Sequence, residues 1–131
     1  MTPATDPDFV PALSVFMLVK TSPEWLGFSV ERRFELLREQ FTPILRRHAA
    51  GVRLRFFDVE FYSTRVTDIW LWDARDHHAY QLLVEELRET PFWDRYFAIV
   101  EILTAQRENG SFYDGTLGEV ADRILRAVER A

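Results

Sequence analysis

The run ALSVFMLV, residues 12–19, constrains the fold more than any other part of the chain. Successive side chains of a strand point to opposite faces, and here both alternating sets are apolar apart from Ser14. Such a strand belongs at the centre of a sheet that is covered on both sides. At 131 residues, with 47% hydrophobic and 15% aromatic content, the chain can bury one core and is too short for two ordinary domains. A single domain over residues 11–131 is expected, after a flexible tail over 1–10 that contains Pro3, Pro7 and two aspartates.

The remaining elements follow from period and punctuation. Thr21 to Gly27, with Ser22 and Pro23, reads as a loop anchored by Trp25. Ser29 is a helix cap ahead of an apolar stripe at Val30, Phe34, Leu37, Phe41 and Leu45, and Pro43 after Thr42 predicts a restarted turn running to His48. Two aromatic strands are expected next, Val52 to about Tyr62 and Val66 to Trp72, joined by a short connection at Ser63 to Arg65. A second helix begins at Asp73 or Asp76, with Tyr80, Leu83, Val84 and Leu87 as its buried stripe, and stops at Thr90-Pro91. Phe92, Trp93 and Tyr96 form an aromatic turn before a last strand, Phe97 to Leu103. Thr116 and Glu119 then fit a capping box opening a terminal helix over about 116–130, with Leu117, Val120, Ile124 and Val128 on one stripe.

The order is βαββαβ plus a C-terminal helix, an α+β ferredoxin-like pattern with two helices on one sheet face. Something else must cover the other face. A homodimer with the two sheets face to face satisfies this, as in a dimeric α+β barrel, because an uncovered aromatic sheet is an association-prone patch. The terminal helix folding over its own sheet is the alternative.

Charge and composition narrow the function. A formal charge of −5 and the lack of a basic cluster disfavour nucleic acid. With no cysteine there are no disulfides, thiolate ligands or cysteine nucleophiles. The opening MTPATDPDFV lacks a basic start and an apolar signal core, and no run approaches membrane-spanning length, so the expectation is a cytoplasmic protein without a membrane partner.

The segments LVKTSPEWLGFSVERR (18–33), LRFFDVEFYSTRVTDIW (54–70) and LVEELRETPFWDRYFAIVEIL (83–103) resemble the darcynin family in order and spacing. The tail and the segment after about Gly115 look like additions outside that pattern. Darcynin is a domain of unknown function, so the resemblance implies a fold and names no reaction. More remotely, the chain resembles the dimeric α+β barrel proteins, a group that includes cofactor-independent monooxygenases, small isomerases and cyclases, and haem enzymes. Fold analogy of this kind does not assign chemistry.

Candidate site residues come from the chemistry of the side chains. Lys20 is the single lysine among 16 basic Lys and Arg residues, and an amine can form a Schiff base or lose its proton when desolvated, as a guanidinium cannot. An ordinary exposed strand-end lysine explains it too. Asp58 and Glu60 share one side of the second strand as read here. An even-parity hairpin would add Asp68, Trp70 and Trp72 to the face of Asp58, Glu60 and Tyr62. A carboxylate among aromatics can act as a base, whereas one paired with Arg55 or Arg65 is structural.

His77 and His78 point in different directions on a helix, and His48 in RRHAAG complements a helix end, so no metal or cofactor site is expected. The resulting picture is a small cofactor-independent enzyme of secondary or aromatic metabolism that acts on a polyketide-like molecule by proton abstraction, as an isomerase, cyclase or monooxygenase. Asp58 or Glu60 is its base, and Lys20 and Arg65 hold an anionic oxygen. Trp25, Arg55, Tyr62, Asp68 and Trp70 bind the ring in a pocket between sheet and helices. The alternative is a noncatalytic dimeric small-molecule-binding or structural module, in which the same residues are ion pairs and core.

Overall fold

The computed structural model describes residues 9–106 and 124–129. Strand β1 (Leu13–Thr21) is followed by α1 (Pro23–Gly27), α2 (Val30–Leu36), a π-helical turn (Leu37–Phe41) and α3 (Thr42–Arg47). Then come β2 (Val52–Asp58), β3 (Asp68–Ala74), α4 (His77–Arg88) and β4 (Phe97–Gln106). Residues 124–129 are helical. The four strands form one antiparallel sheet in the order β2-β3-β1-β4, the ferredoxin-like arrangement, with β1 and β3 in the middle.

The register decides which residues share a face. Val15 lies opposite Trp72 and Met17 opposite Trp70 on β1 and β3, while Leu54 and Phe56 of β2 face the same two tryptophans. Leu13, Val15, Met17, Val19, Trp70, Trp72 and Ala74 are all buried beneath the helices. Leu36, Phe41, Ile44, Leu83, Leu87 and Phe92 cover them. Rings dominate this side. Phe41 lies 5.7 Å from Trp70 and 5.1 Å from Phe92, and Trp70 lies 5.0 Å from Phe97.

Several elements differ from the sequence reading, each for a local physical reason. Thr21 to Gly27 contains a short helix, because the Ser22 hydroxyl accepts from the Trp25 N–H and Pro23 suits a first turn. Ser29 caps α2 as expected, accepting from the Arg32 N–H. The stripe behind it shifts. Val30 and Phe34 are exposed, Phe41 is buried as expected, Leu37 and Leu45 are half-buried against the core, and Leu36 and Ile44 are buried in addition. Pro43 offers no N–H to a preceding carbonyl, and the helix opens into a π turn where the Thr42 N–H bonds Leu37, five residues back. Across that turn the inward position moves on by five residues, so the helix continues without a restart at Thr42.

Strand β2 stops at Asp58, four residues short of Tyr62, and a loop over residues 59–67 replaces the three-residue connection. Side chains divert the backbone from the ladder there. The Asp58 carboxylate accepts from the Glu60 N–H, and the Ser63 hydroxyl accepts from the N–H groups of Arg65 and Val66. Asp76, not Asp73, caps α4, accepting from the Ala79 N–H at 2.7 Å. β4 runs three residues past Leu103 and shifts register against β1 between Leu18 and Val19. At the N-terminus, Phe9 is buried with the Arg53 guanidinium 4.6 Å from its ring, so the tail expected over 1–10 is anchored at its end. The capping box at Thr116 and Glu119, with Leu117 and Val120, lies outside the described residues.

Trp25 shows what anchors the α1 corner. It is buried, with Phe92, Tyr96 and Phe97 at 5.4, 5.4 and 5.2 Å. Replacing it by alanine is expected to cost about 3 kcal/mol or more, measured by chemical denaturation. A loss within roughly 0.5 kcal/mol, typical of surface sites, would contradict this packing.

Candidate functional site: the open sheet face

The side of the sheet away from the helices is built by the other alternating set. It carries Ser14, Phe16, Leu18 and Lys20 from β1, opposite Asp73, Leu71 and Ile69 of β3. Arg53, Arg55 and Phe57 of β2 extend it on one flank, and Glu101, Leu103 and Ala105 of β4 on the other. Its centre is apolar. Phe16, Leu18 and Ile69 are half-buried and Leu71 is buried, whereas Leu103 is 52% exposed.

Asp73 is the acid on which this face is organised. It is 2% exposed although it lies on the uncovered side, because two long side chains lie across it. Arg55 reaches it through Nε at 3.0 Å, and Arg53 Nε stands 3.7 Å away. The Ser14 hydroxyl donates to its Oδ1 at 2.7 Å. A buried carboxylate without such partners costs several kcal/mol, so the short β1 residue and the two arginines are what make an acid tolerable there. Both guanidiniums lie against it, that of Arg55 bonding through two nitrogens and that of Arg53 also standing over the Phe9 ring.

The expected catalytic group divides between the two sides. Asp58 lies opposite Asp68 at the edge of the helix-facing side, which is the parity an even register requires. Glu60 and Tyr62 do not share that face, since both lie in the 59–67 loop, and Tyr62 is 89% exposed. Lys20 stands on the opposite side and donates to the Thr64 carbonyl at 3.2 Å. Arg65 pairs with Glu101 at 2.8 Å rather than with Asp58, Glu60 or Asp68. Trp25 and Trp70 are core residues, and Arg55 is bound to Asp73. The pocket expected between sheet and helices is filled by the rings of Phe41, Trp70, Trp72 and Phe92.

Several open surface hollows of similar size occur, two of about 400 Å³ lying along the helices at Glu31, Phe34, Glu35 and Arg38 and at Glu85, Arg88 and Glu89. Two others lie beside α3 and beside β1. One of about 410 Å³ lies between α3 and α4, where Gln40, Pro43, Arg47 and Glu86 meet. The other, about 340 Å³, is at the end of the open face and is lined by Pro11, Leu13, Ser14, Phe16, Ala105 and Gln106.

His48 is bonded to Glu86, whose carboxyl is held below its usual range first by Arg47 and then by His48. His77 and His78 are exposed at the start of α4. Among the described residues, no group of three His, Cys, Asp or Glu side chains could hold a metal ion. No helix among them is long and apolar enough to cross a membrane.

Asp73 is the residue that sequence reasoning misses, because it reads there as one of two possible starts of the second helix. The signal was present in WLWDA: if Asp76 is the cap, the strand runs to Ala74, and even parity then sets Asp73 against Arg53 and beside Arg55.

Against this geometry, the model for darcynin, a domain of unknown function, matches residues 1–124. The chain belongs to the darcynin family. The match takes in the tail and the start of the terminal segment, which had looked like additions. A darcynin homolog of Granulibacter bethesdensis is 83% identical over 99 residues, covering 76% of this chain and 80% of that protein. One from Streptomyces avermitilis is 56% identical over 100 residues, covering 76% and 82%.

Among solved structures, a mutant chlorite dismutase from Candidatus Nitrospira defluvii aligns with a TM-score of 0.65 at 17% identity, over 76% of this chain and 41% of that one. A dimeric chlorite dismutase from Nitrobacter winogradskyi aligns at 0.62 and 14%, over 75% and 58%. The chain thus spans less than two thirds of those proteins. At such identity the likeness shows a shared fold, and this darcynin is similar to them in that alone.

Asp68 provides a pH test of the acidic edge. Half-burial raises its pKa above the usual carboxylate range, with the Asp58 charge adding to the effect and a hydrogen bond from Thr67 opposing it. A folded pKa above the unfolded one means that stability falls as pH rises from the unfolded value through the folded one. Asp68→Asn is therefore expected to equal or exceed the native chain in stability at neutral pH, with the difference closing on acidification. Chemical denaturation at neutral and acidic pH checks it, and an asparagine variant that is weaker at neutral pH would assign Asp68 a stabilising ionised role.

Proposed function

We propose that this darcynin is a noncatalytic homodimeric module whose two subunits pack open sheet face to open sheet face. The observation that carries the reading is the composition of that face: an apolar centre of Phe16, Leu18, Ile69, Leu71 and Leu103, with the charge of Asp73 neutralised within the same chain. A neutralised, apolar surface can be desolvated against its own copy without stranding a charge. The terminal helical residues support a second copy over self-coverage, since Ile124, Leu125 and Val128 are exposed and bury no apolar stripe on the sheet. A protein of the same fold, the Nitrobacter winogradskyi chlorite dismutase, is described as dimeric.

An enzyme that abstracts a proton from carbon needs Asp58 or Glu60 beside Lys20 and Arg65. Asp58 stands on the helix-facing side, its carboxylate bonded to the loop backbone, and Lys20 on the other. That separation favours the binding module.

The test is sedimentation of the full chain at micromolar concentration. The expected mass is about twice the 15.5 kDa of one chain, and Leu18→Glu, which places a charge at the centre of the face, is expected to give a folded monomer. A native chain that remains monomeric across the micromolar range would overturn the reading.

A further inference from the structure

A sheet-to-sheet contact alone is small for a stable dimer. Four strands at about 4.8 Å spacing and of seven to ten residues at about 3.3 Å each present a footprint of roughly 500 Å². A standard interface buries about 800 Å² on each partner. Contacts from beyond the strands are needed, and the open face has a matching pair of features at its two ends.

One is the 59–67 loop, where Phe61 is 84% and Tyr62 89% exposed. Residues of the open face hold this loop on their own side: Lys20 donates to the Thr64 carbonyl and Arg65 pairs with Glu101. Two large aromatics therefore stand at the end of the face where β1 finishes, uncovered by any of the described residues. The other feature is the 340 Å³ hollow at the end where β1 begins, lined by Pro11, Leu13, Ser14, Phe16, Ala105 and Gln106. Leu13 and Val19 lie six residues apart on β1, about 20 Å along a strand, so the loop of one chain does not fill its own hollow. A twofold axis lying between two facing sheets and running obliquely to the strands brings opposite corners of the two copies together. Each copy then supplies one aromatic projection and one recess, and the contact closes after two subunits.

We propose that Phe61 and Tyr62 of each subunit seat in the partner's hollow at Ser14, Phe16 and Ala105, completing an interface that neither sheet face completes alone. The inference rests on the face-to-face dimer. It assigns to exposed loop aromatics a role in assembly that their position on one chain leaves unexplained.

The chain has no cysteine, so introduced thiols report only on the contact. Two double variants, Phe61→Cys with Ala105→Cys and Tyr62→Cys with Ala105→Cys, are oxidised in the full-length protein and run on a nonreducing gel beside the three single variants. At least one pair is expected to give a covalent dimer that the singles do not. The variant with both Phe61→Ala and Tyr62→Ala is expected to raise the dimer dissociation constant at least tenfold and, at a concentration low enough that both proteins are monomeric, to keep the native unfolding midpoint, since both side chains are exposed on one chain. A native dimer in which neither pair cross-links and the double alanine variant dissociates like the native chain would overturn this inference and leave the sheet-face dimer standing. That is also the result if residues following Gln106 of the same chain fill the hollow. A native chain that sediments as a monomer removes both.

Discussion

Burial of Trp70 and Trp72 on one side of β3 is the constraint on which the rest of the structure depends. The strand lies between β2 and β1, so orienting these two indoles inward fixes the side-chain direction of three neighbouring segments at once. Neither indole N–H has a hydrogen-bond partner among the described residues, a loss of about 1–3 kcal/mol each. Burying an aromatic of about 150–250 Å² returns roughly 4–6 kcal/mol at about 25 cal/mol per Å². The rings prevail over their own polar atoms. That is why the helix-facing side is a filled core and not a cavity.

The same alternation sends Leu71 and Asp73 outward. Leu71 joins Phe16, Leu18 and Ile69 in an apolar field, while Asp73 would be a buried charge without Arg55, Arg53 and Ser14. The polarity of the open face is thus a consequence of packing on its reverse. Within one chain the face is electrostatically satisfied and hydrophobically unsatisfied, and that combination suits association better than catalysis. Asp73 is held by two arginines, and the amine at Lys20 is engaged with a loop carbonyl.

The helices show how local chemistry and packing interact. Ser22, Ser29 and Asp76 each cap a helix through a side-chain oxygen, a contact made by residues three positions apart and therefore readable from sequence. The face each helix buries is a different matter. Val30 and Phe34 have the spacing of an inward stripe, yet the π turn ahead of Pro43 places Leu36 and Ile44 there instead. A single change of helical pitch altered the inward set.

What the sequence determined by itself was the order of elements, the centrality of β1 and the family, because each rests on periodicity, capping or similarity along contiguous residues, whereas the even parity of the β2–β3 register came from the structure. The resemblance in residues 18–103 was enough to place the chain among the darcynins. The tertiary structure decided the ends of elements and the composition of the candidate site. Glu60 and Tyr62 left the sheet because Asp58 and Ser63 bonded the loop backbone, a competition whose outcome depends on where the facing strand begins. Arg65 found Glu101, 36 residues away, and Asp73 found Ser14, 59 residues away. Pairings at that separation are set by the sheet order, which no local pattern of residues encodes.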